Sequence, residues 1–172
     1  CPDAYNISRY VSDYGLYPVY RNNASEYYPL GEIQFEHLLA EMEKAEKFIF
    51  LEFFIITKGY MFDTISELLI RKAGEGVDVR LMYDGIGTGM LNSKKIFRRL
   101  EENGVQSKEF NPFRPMLSSV QNNRDHRKIV VIDGRTAFSG GTNLADEYIN
   151  RIQRFGHWKD TGFMIRGKAV RN

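Results

Sequence analysis

With 172 residues, 42% of them hydrophobic and 27% charged, the chain has enough apolar matter for one substantial core and is too hydrophobic to be disordered. A net charge of +2 is too small to imply nucleic-acid binding by itself, so any preference for anions must come from local clustering. The single cysteine, Cys1, excludes an internal disulfide, and a first residue other than Met points to a processed or excised piece.

Residues 1–29 hold seven of the ten tyrosines, together with Pro2, Pro18 and Pro29, and show no sustained period. They predict an irregular arm or short hairpin whose aromatic rings pack on the body of the protein. The single domain is expected to begin at residue 30. Phe35, Leu38, Leu39 and Met42 recur at helical spacing with Glu36, Glu41, Glu43 and Lys44 opposite, which predicts an amphipathic helix. His37 within it is assigned no role. Residues 47–56 are apolar on both faces, as a strand covered by helices on both sides should be. Phe48 to Ile56 comes nearest to a membrane span, yet it falls well short of the roughly 20 apolar residues that cross a bilayer. Glu52 interrupts it, and a covered carboxylate there needs a cation, so a structural ion pair is favoured over a place in a site.

A second helix is predicted from Ile65, Leu68, Leu69 and Lys72, ending at Gly74 to Gly76, before a strand at 77–83. Asp84-Gly85 opens a glycine-rich segment that lacks a nucleotide-binding frame. Turn chemistry is the favoured role for Asp84 over contact with a substrate hydroxyl. A helix at 93–103 and a short strand at 105–110 follow. The irregular run 111–125, with Phe113, Met116, Leu117 and flanking arginines, suits either contact with lipid head groups or a variable surface loop. This alternation of strands and helices predicts an α/β domain: a mixed, largely parallel sheet flanked by helices on both faces.

His126-Arg127-Lys128-Ile129-Val130-Val131-Ile132-Asp133-Gly134 predicts a strand closed by a type I′ hairpin. Alternation puts His126, Lys128, Val130 and Ile132 on one face and Arg127, Ile129, Val131 and Asp133 on the other. An imidazole beside an ammonium suits a phosphate: one attacks phosphorus or moves a proton, the other balances charge on the oxygens. The returning strand leads into Gly140-Gly141-Thr142-Asn143, whose amides, hydroxyl and carboxamide are candidate donors to the same oxygens. Residues 143–150 predict a short helix with its N-terminus at this place. Asp160, opening a strand at 161–165, is the carboxylate expected to orient His126 by fixing its tautomer. His157 is expected to be structural.

His126, Lys128 and Asp133 fall on the H-x-K-x-x-x-x-D pattern of the phospholipase D superfamily, and Gly140 and Asn143 on the G-S-x-N that follows it. Gly141 stands where many members have serine. Together with Leu144-Ala145-Asp146-Glu147-Tyr148 and Trp158-Lys159-Asp160-Thr161, the chain from about residue 30 to 170 resembles the first half of bacterial cardiolipin synthases. The resemblance implies a catalytic set of His126, Lys128, Asp133, Asn143 and Asp160, with Gly140, Gly141 and Thr142 binding substrate. The parity of Asp133 argues instead for an architectural role. Further implications are a phosphohistidine intermediate, no metal or cofactor, and phosphatidylglycerol as the lipid substrate. The enzyme would sit at the bacterial cell membrane, its anchor outside this stretch. Because one copy of the motif makes half a site, a second motif-bearing half of the same parent chain, or a homodimer, is expected to complete it. Nucleic acid is not an expected partner. The rivals are a phosphodiesterase or nuclease of the same superfamily and a non-catalytic lipid-binding half-domain.

Overall fold

A computed structural model describes residues 2–88, 93–112 and 122–171. The expectation of lipid contact by Phe113, Met116 and Leu117 lies outside these residues. Seven strands form one mixed sheet: β1 (Ala24–Tyr28), β2 (Phe48–Phe53), β3 (Asp78–Asp84), β4 (Gln106–Phe110), β5 (Ile129–Ile132), β6 (Thr136–Gly140) and β7 (Gly162–Arg166), in the order β1-β7-β6-β5-β2-β3-β4. Four helices flank it: α1 (Pro2–Gly15), α2 (Gly31–Met42), α3 (Tyr60–Gly74) and α4 (Ser93–Glu102).

The sheet is mixed as expected but not largely parallel: only β2–β3 and β3–β4 are parallel, and the other four pairings are antiparallel. The parallel part comes from strand-helix-strand units, in which a helix carries the chain back to start the next strand. The antiparallel part comes from the β5–β6 hairpin, whose turn residues Asp133 and Gly134 have φ of 53° and 63°. Positive φ at both positions is the type I′ turn that the Asp-Gly dipeptide predicts.

Side-chain alternation sets the core. In β2, Ile49, Leu51 and Phe53 are buried while Phe48, Phe50 and Glu52 are half-buried. Val130 and Ile132 of β5, Val79 and Leu81 of β3 and Phe138 of β6 join them, and Phe35, Leu38, Met61, Ile65 and Leu69 from α2 and α3 cover this face. Burial of these aliphatic and aromatic groups is the main force holding the helices to the sheet.

Two further expectations change. The first 29 residues are not an irregular arm. Pro2–Gly15 is helical and Ala24–Tyr28 is an edge strand paired with β7, so the sheet begins inside the segment set apart from the domain. Ile7, Tyr10, Val11 and Tyr14 make a helical stripe, and it points outward rather than onto the body: Tyr14 is 77% exposed. Tyrosine hides such a period because its ring is apolar and its tip polar. The helix expected over 143–150 shrinks to one 3-10 turn, Asp146–Ile149. Leu144 instead runs extended beside Ile56, donating its N–H to the Ile55 carbonyl and accepting from the Thr57 N–H. Asp146 caps α3 from a distance, accepting from the N–H groups of Tyr60 (3.0 Å) and Met61 (2.8 Å), because Gly59 has no side chain to do so.

Candidate active site

The site forms where the segment entering β5 crosses the ends of β2 and β3. His126 is exposed, with its ring tilted against Phe54 at a centroid distance of 4.7 Å. Lys128 is 6% exposed; its Nζ donates to the His126 carbonyl at 2.7 Å and lies 5.3 Å from the Phe54 ring centre. Phe54 thus seats both motif residues. Burial pushes the Lys128 ammonium below its ordinary value, and the charges of Asp160 and Asp125 oppose that shift. A positive group is therefore held at the backbone of the residue that carries an accessible imidazole, an arrangement that favours an anion nearby.

The remaining motif residues take different positions. Asn143 is buried, its Oδ1 accepting from the Ile55 N–H at 2.9 Å and its Nδ2 donating to the Tyr148 hydroxyl at 2.9 Å. Its carboxamide braces the segment after β2 against the 3-10 turn. Gly141 donates its N–H to the Thr161 carbonyl, and a side chain at Gly141 would overlap the Asp160 carboxylate. Gly140 packs against the Thr161 and Gly162 backbone in the same way.

Asp160 does not make the predicted bond to His126. Its carboxylate accepts from the Trp158 indole at 3.2 Å and from the Thr161 N–H at 2.8 Å, and its charge acts on Lys128 instead. The indole two residues earlier competes for the oxygens that the sequence reading reserved for the imidazole. Thr142 is buried with its hydroxyl unpaired, as is Gln34 Oε1 from α2. Both residues line a cavity of about 20 Å³ shared with Lys128, Gly140 and Leu144. Gln34 is a neighbour of the motif that no local pattern announced.

Asp133 behaves as its parity predicts. At the far end of β5 its carboxylate accepts from the backbone N–H groups of Glu46, Lys47 and Phe48 at 2.9, 2.8 and 2.9 Å. Burial raises its carboxyl, but these three donors outweigh that and hold it below the ordinary range. Asp84 is fully buried, accepting from the Ile86, Gly87 and Asp125 N–H groups and from Arg124, so it is a turn residue with no face left for a substrate hydroxyl. Glu52 makes the expected ion pair, 2.7 Å from Arg127.

The fold is that of the phospholipase D family: Nuc from Salmonella typhimurium, described as a member of that family, superposes with a TM-score of 0.62 at 17% identity, over 86% of this chain and 84% of Nuc. Residues 38–154 match the family model described as cardiolipin synthase, PLD-like domain, and the chain belongs to that family. Among its relatives, a cardiolipin synthase of Alkalihalophilus pseudofirmus is 38% identical over 96% of the chain and 33% of the relative. An uncharacterized protein of Streptococcus mutans is 49% identical over 96% of the chain and 36% of its own length. The chain thus spans about a third of the relatives it matches.

Proposed function

We propose that this domain supplies one half of a two-motif site that transfers a phosphatidyl group from one phosphatidylglycerol to another, making cardiolipin and releasing glycerol. The observation that carries this reading is the exposed imidazole of His126 together with the buried ammonium of Lys128, both seated on Phe54 and joined through the His126 carbonyl, within a chain of the cardiolipin synthase PLD-like family. In the first step a motif imidazole attacks phosphorus, and the bond from phosphorus to the glycerol oxygen breaks. A second imidazole, from the other half, gives that oxygen its proton. In the second step that imidazole takes the proton from the hydroxyl of the acceptor lipid, whose oxygen displaces the histidine. Lys128 balances charge on the non-bridging oxygens as the transition state forms.

The complementary half comes from the remainder of the parent chain, since the relatives are about three times as long, and that parent works at the membrane surface where its substrates lie. Among the described residues no helix is long and apolar enough to cross a membrane. The test is to incubate the parent protein with phosphatidylglycerol vesicles and, separately, with single-stranded DNA. Cardiolipin and glycerol in equal amounts support the reading; DNA cleavage without lipid product would replace it with a nuclease. The isolated domain is expected to be inactive alone.

A further inference from the structure

The end of the sheet away from His126 carries an open cleft that the mechanism above leaves unused. Its volume is about 490 Å³, and it lies where the β5–β6 turn, the end of β7 and the segment after α2 meet. Lys44, Arg135, Arg166, Lys168 and Arg171 line it, against Glu41, Glu46 and Asp133. Five cations facing three carboxylates leave an excess of two positive charges in one cleft, as large as the net charge of the whole chain. Two of the carboxylates are already engaged. Glu41 accepts from Lys44 Nζ at 2.6 Å, from Arg166 Nη2 at 3.0 Å and from the Thr136 hydroxyl at 3.4 Å. Asp133 feels the charge of Arg135, but its two oxygens are taken by three backbone donors. Among the described residues Arg135, Lys168 and Arg171 form no ion pair, and all three are exposed.

The backbone that presents these three cations is fixed. Gly167, just past the end of β7, donates its N–H to the Arg135 carbonyl at 2.9 Å, which sets the hairpin turn beside Lys168. The 3-10 turn Lys168–Arg171 is held by Asn23, whose Oδ1 accepts from the Ala169 N–H at 3.0 Å. We propose that this cleft binds a phosphate dianion, as inorganic phosphate or as the monoester of a small polar molecule, held by Arg135, Lys168 and Arg171. Charge decides the class: a phosphate monoester carries about −1.5 to −2 near neutral pH, which matches the excess in the cleft, whereas a lipid phosphodiester carries a single charge. The volume falls in the range of small-molecule sites, about 300 to 1,000 Å³, and leaves room for a substituent on the phosphate. Guanidinium groups meet phosphate oxygens with two N–H donors at a time, and the lysine adds a compact charge. The choice of a soluble source over a lipid also rests on the phosphatidyl-transfer reading: if His126 faces the membrane, the opposite end of β5 is turned toward water.

The experiment titrates the 172-residue chain with inorganic phosphate, with glycerol phosphate and, separately, with phosphatidylglycerol vesicles, following the backbone amides by NMR. Ionic strength is held constant, so that the screening any basic surface shows does not contribute. Both soluble phosphates are expected to give saturable shifts confined to the amides around Arg135 and Lys168, and the vesicles to leave those amides in place. Tighter binding of glycerol phosphate than of inorganic phosphate assigns the site to a monoester; equal binding assigns it to phosphate itself. R135Q and K168Q are each expected to weaken binding about tenfold, the loss of one charge-assisted hydrogen bond. R98Q removes the same charge from an exposed position on α4 and is expected to leave the affinity unchanged. All three substitutions fall at exposed side chains, and unaltered spectra away from each change confirm that the fold is kept. Shifts that never saturate, an R98Q effect as large as that of R135Q, or selective shifts of these amides by the vesicles would each overturn the proposal. The titration is read without turnover. Absence of lipid product therefore defeats the phosphatidyl-transfer reading and leaves the cleft, whereas failure of inorganic phosphate to saturate defeats the cleft and leaves that reading.

Discussion

The two ends of β5 carry aspartates in opposite situations. At the turn end, Asp133 has three backbone donors for its two oxygens, and its charge is fully accounted for. At the entry end, Asp125 faces another carboxyl group across one arginine, and the histidine between Asp125 and Arg127 stands open to solvent. The same short strand is pinned by satisfied hydrogen bonds at one end and leads out from an exposed imidazole at the other. Residue type does not tell the two aspartates apart; the donors around each carboxylate do.

Substitutions sharpen this contrast, beginning with the largest effect. H126A in the parent protein is expected to reduce phosphatidyl transfer by about 10³-fold or more while the unfolding midpoint of the domain stays put, because the imidazole is exposed. A matching loss of stability would show that His126 belongs to the scaffold. N143L strands the Ile55 N–H and the Tyr148 hydroxyl in the interior and is expected to cost about 3 kcal/mol in urea unfolding. Y148F, which leaves the Ile55 bond intact, should cost about 1 kcal/mol by the same measurement.

D133A is expected to destabilise the domain by about 2 kcal/mol near neutral pH. The Asp133 carboxyl is depressed below its ordinary 3.8, so this contribution is present above that value and lost as pH falls through the lower folded value. Stability curves of wild type and D133A should therefore converge in acid; parallel curves would mean the three backbone bonds carry no linkage. The smallest effect is D146A, which removes the remote cap of α3 and should cost about 1 kcal/mol, visible as a lowered midpoint with unchanged transfer activity.

Much of this was legible along the chain because it depends on local periodicity. The strand from Ile129, its type I′ turn at Asp133-Gly134, the parity that separates Lys128 from Asp133, and the helices at Ile65 and Leu38 all follow from spacing and backbone preference. The Glu52 ion pair and the turn role of Asp84 were also predictable, since a covered carboxylate needs partners wherever the fold places it. The stripe on α1 was missed because tyrosine counts on both sides of an apolar scale, and the helix after Asn143 was over-extended because its polar residues bond to distant backbone instead of their own.

By itself the sequence determined which elements form and which side chains share a face, because those depend on neighbours within a few residues. Only the tertiary structure decided what each polar group touches. It gave Asp160 to Trp158 and Lys128 rather than to His126, spent the Asn143 carboxamide on Ile55 and Tyr148, brought Gln34 beneath the motif, and put Glu52 and Asp125 on the same Arg127. Hydrogen bonds and charges act over a few ångströms of space, and residues 73 positions apart become neighbours only when β2 and β5 pair.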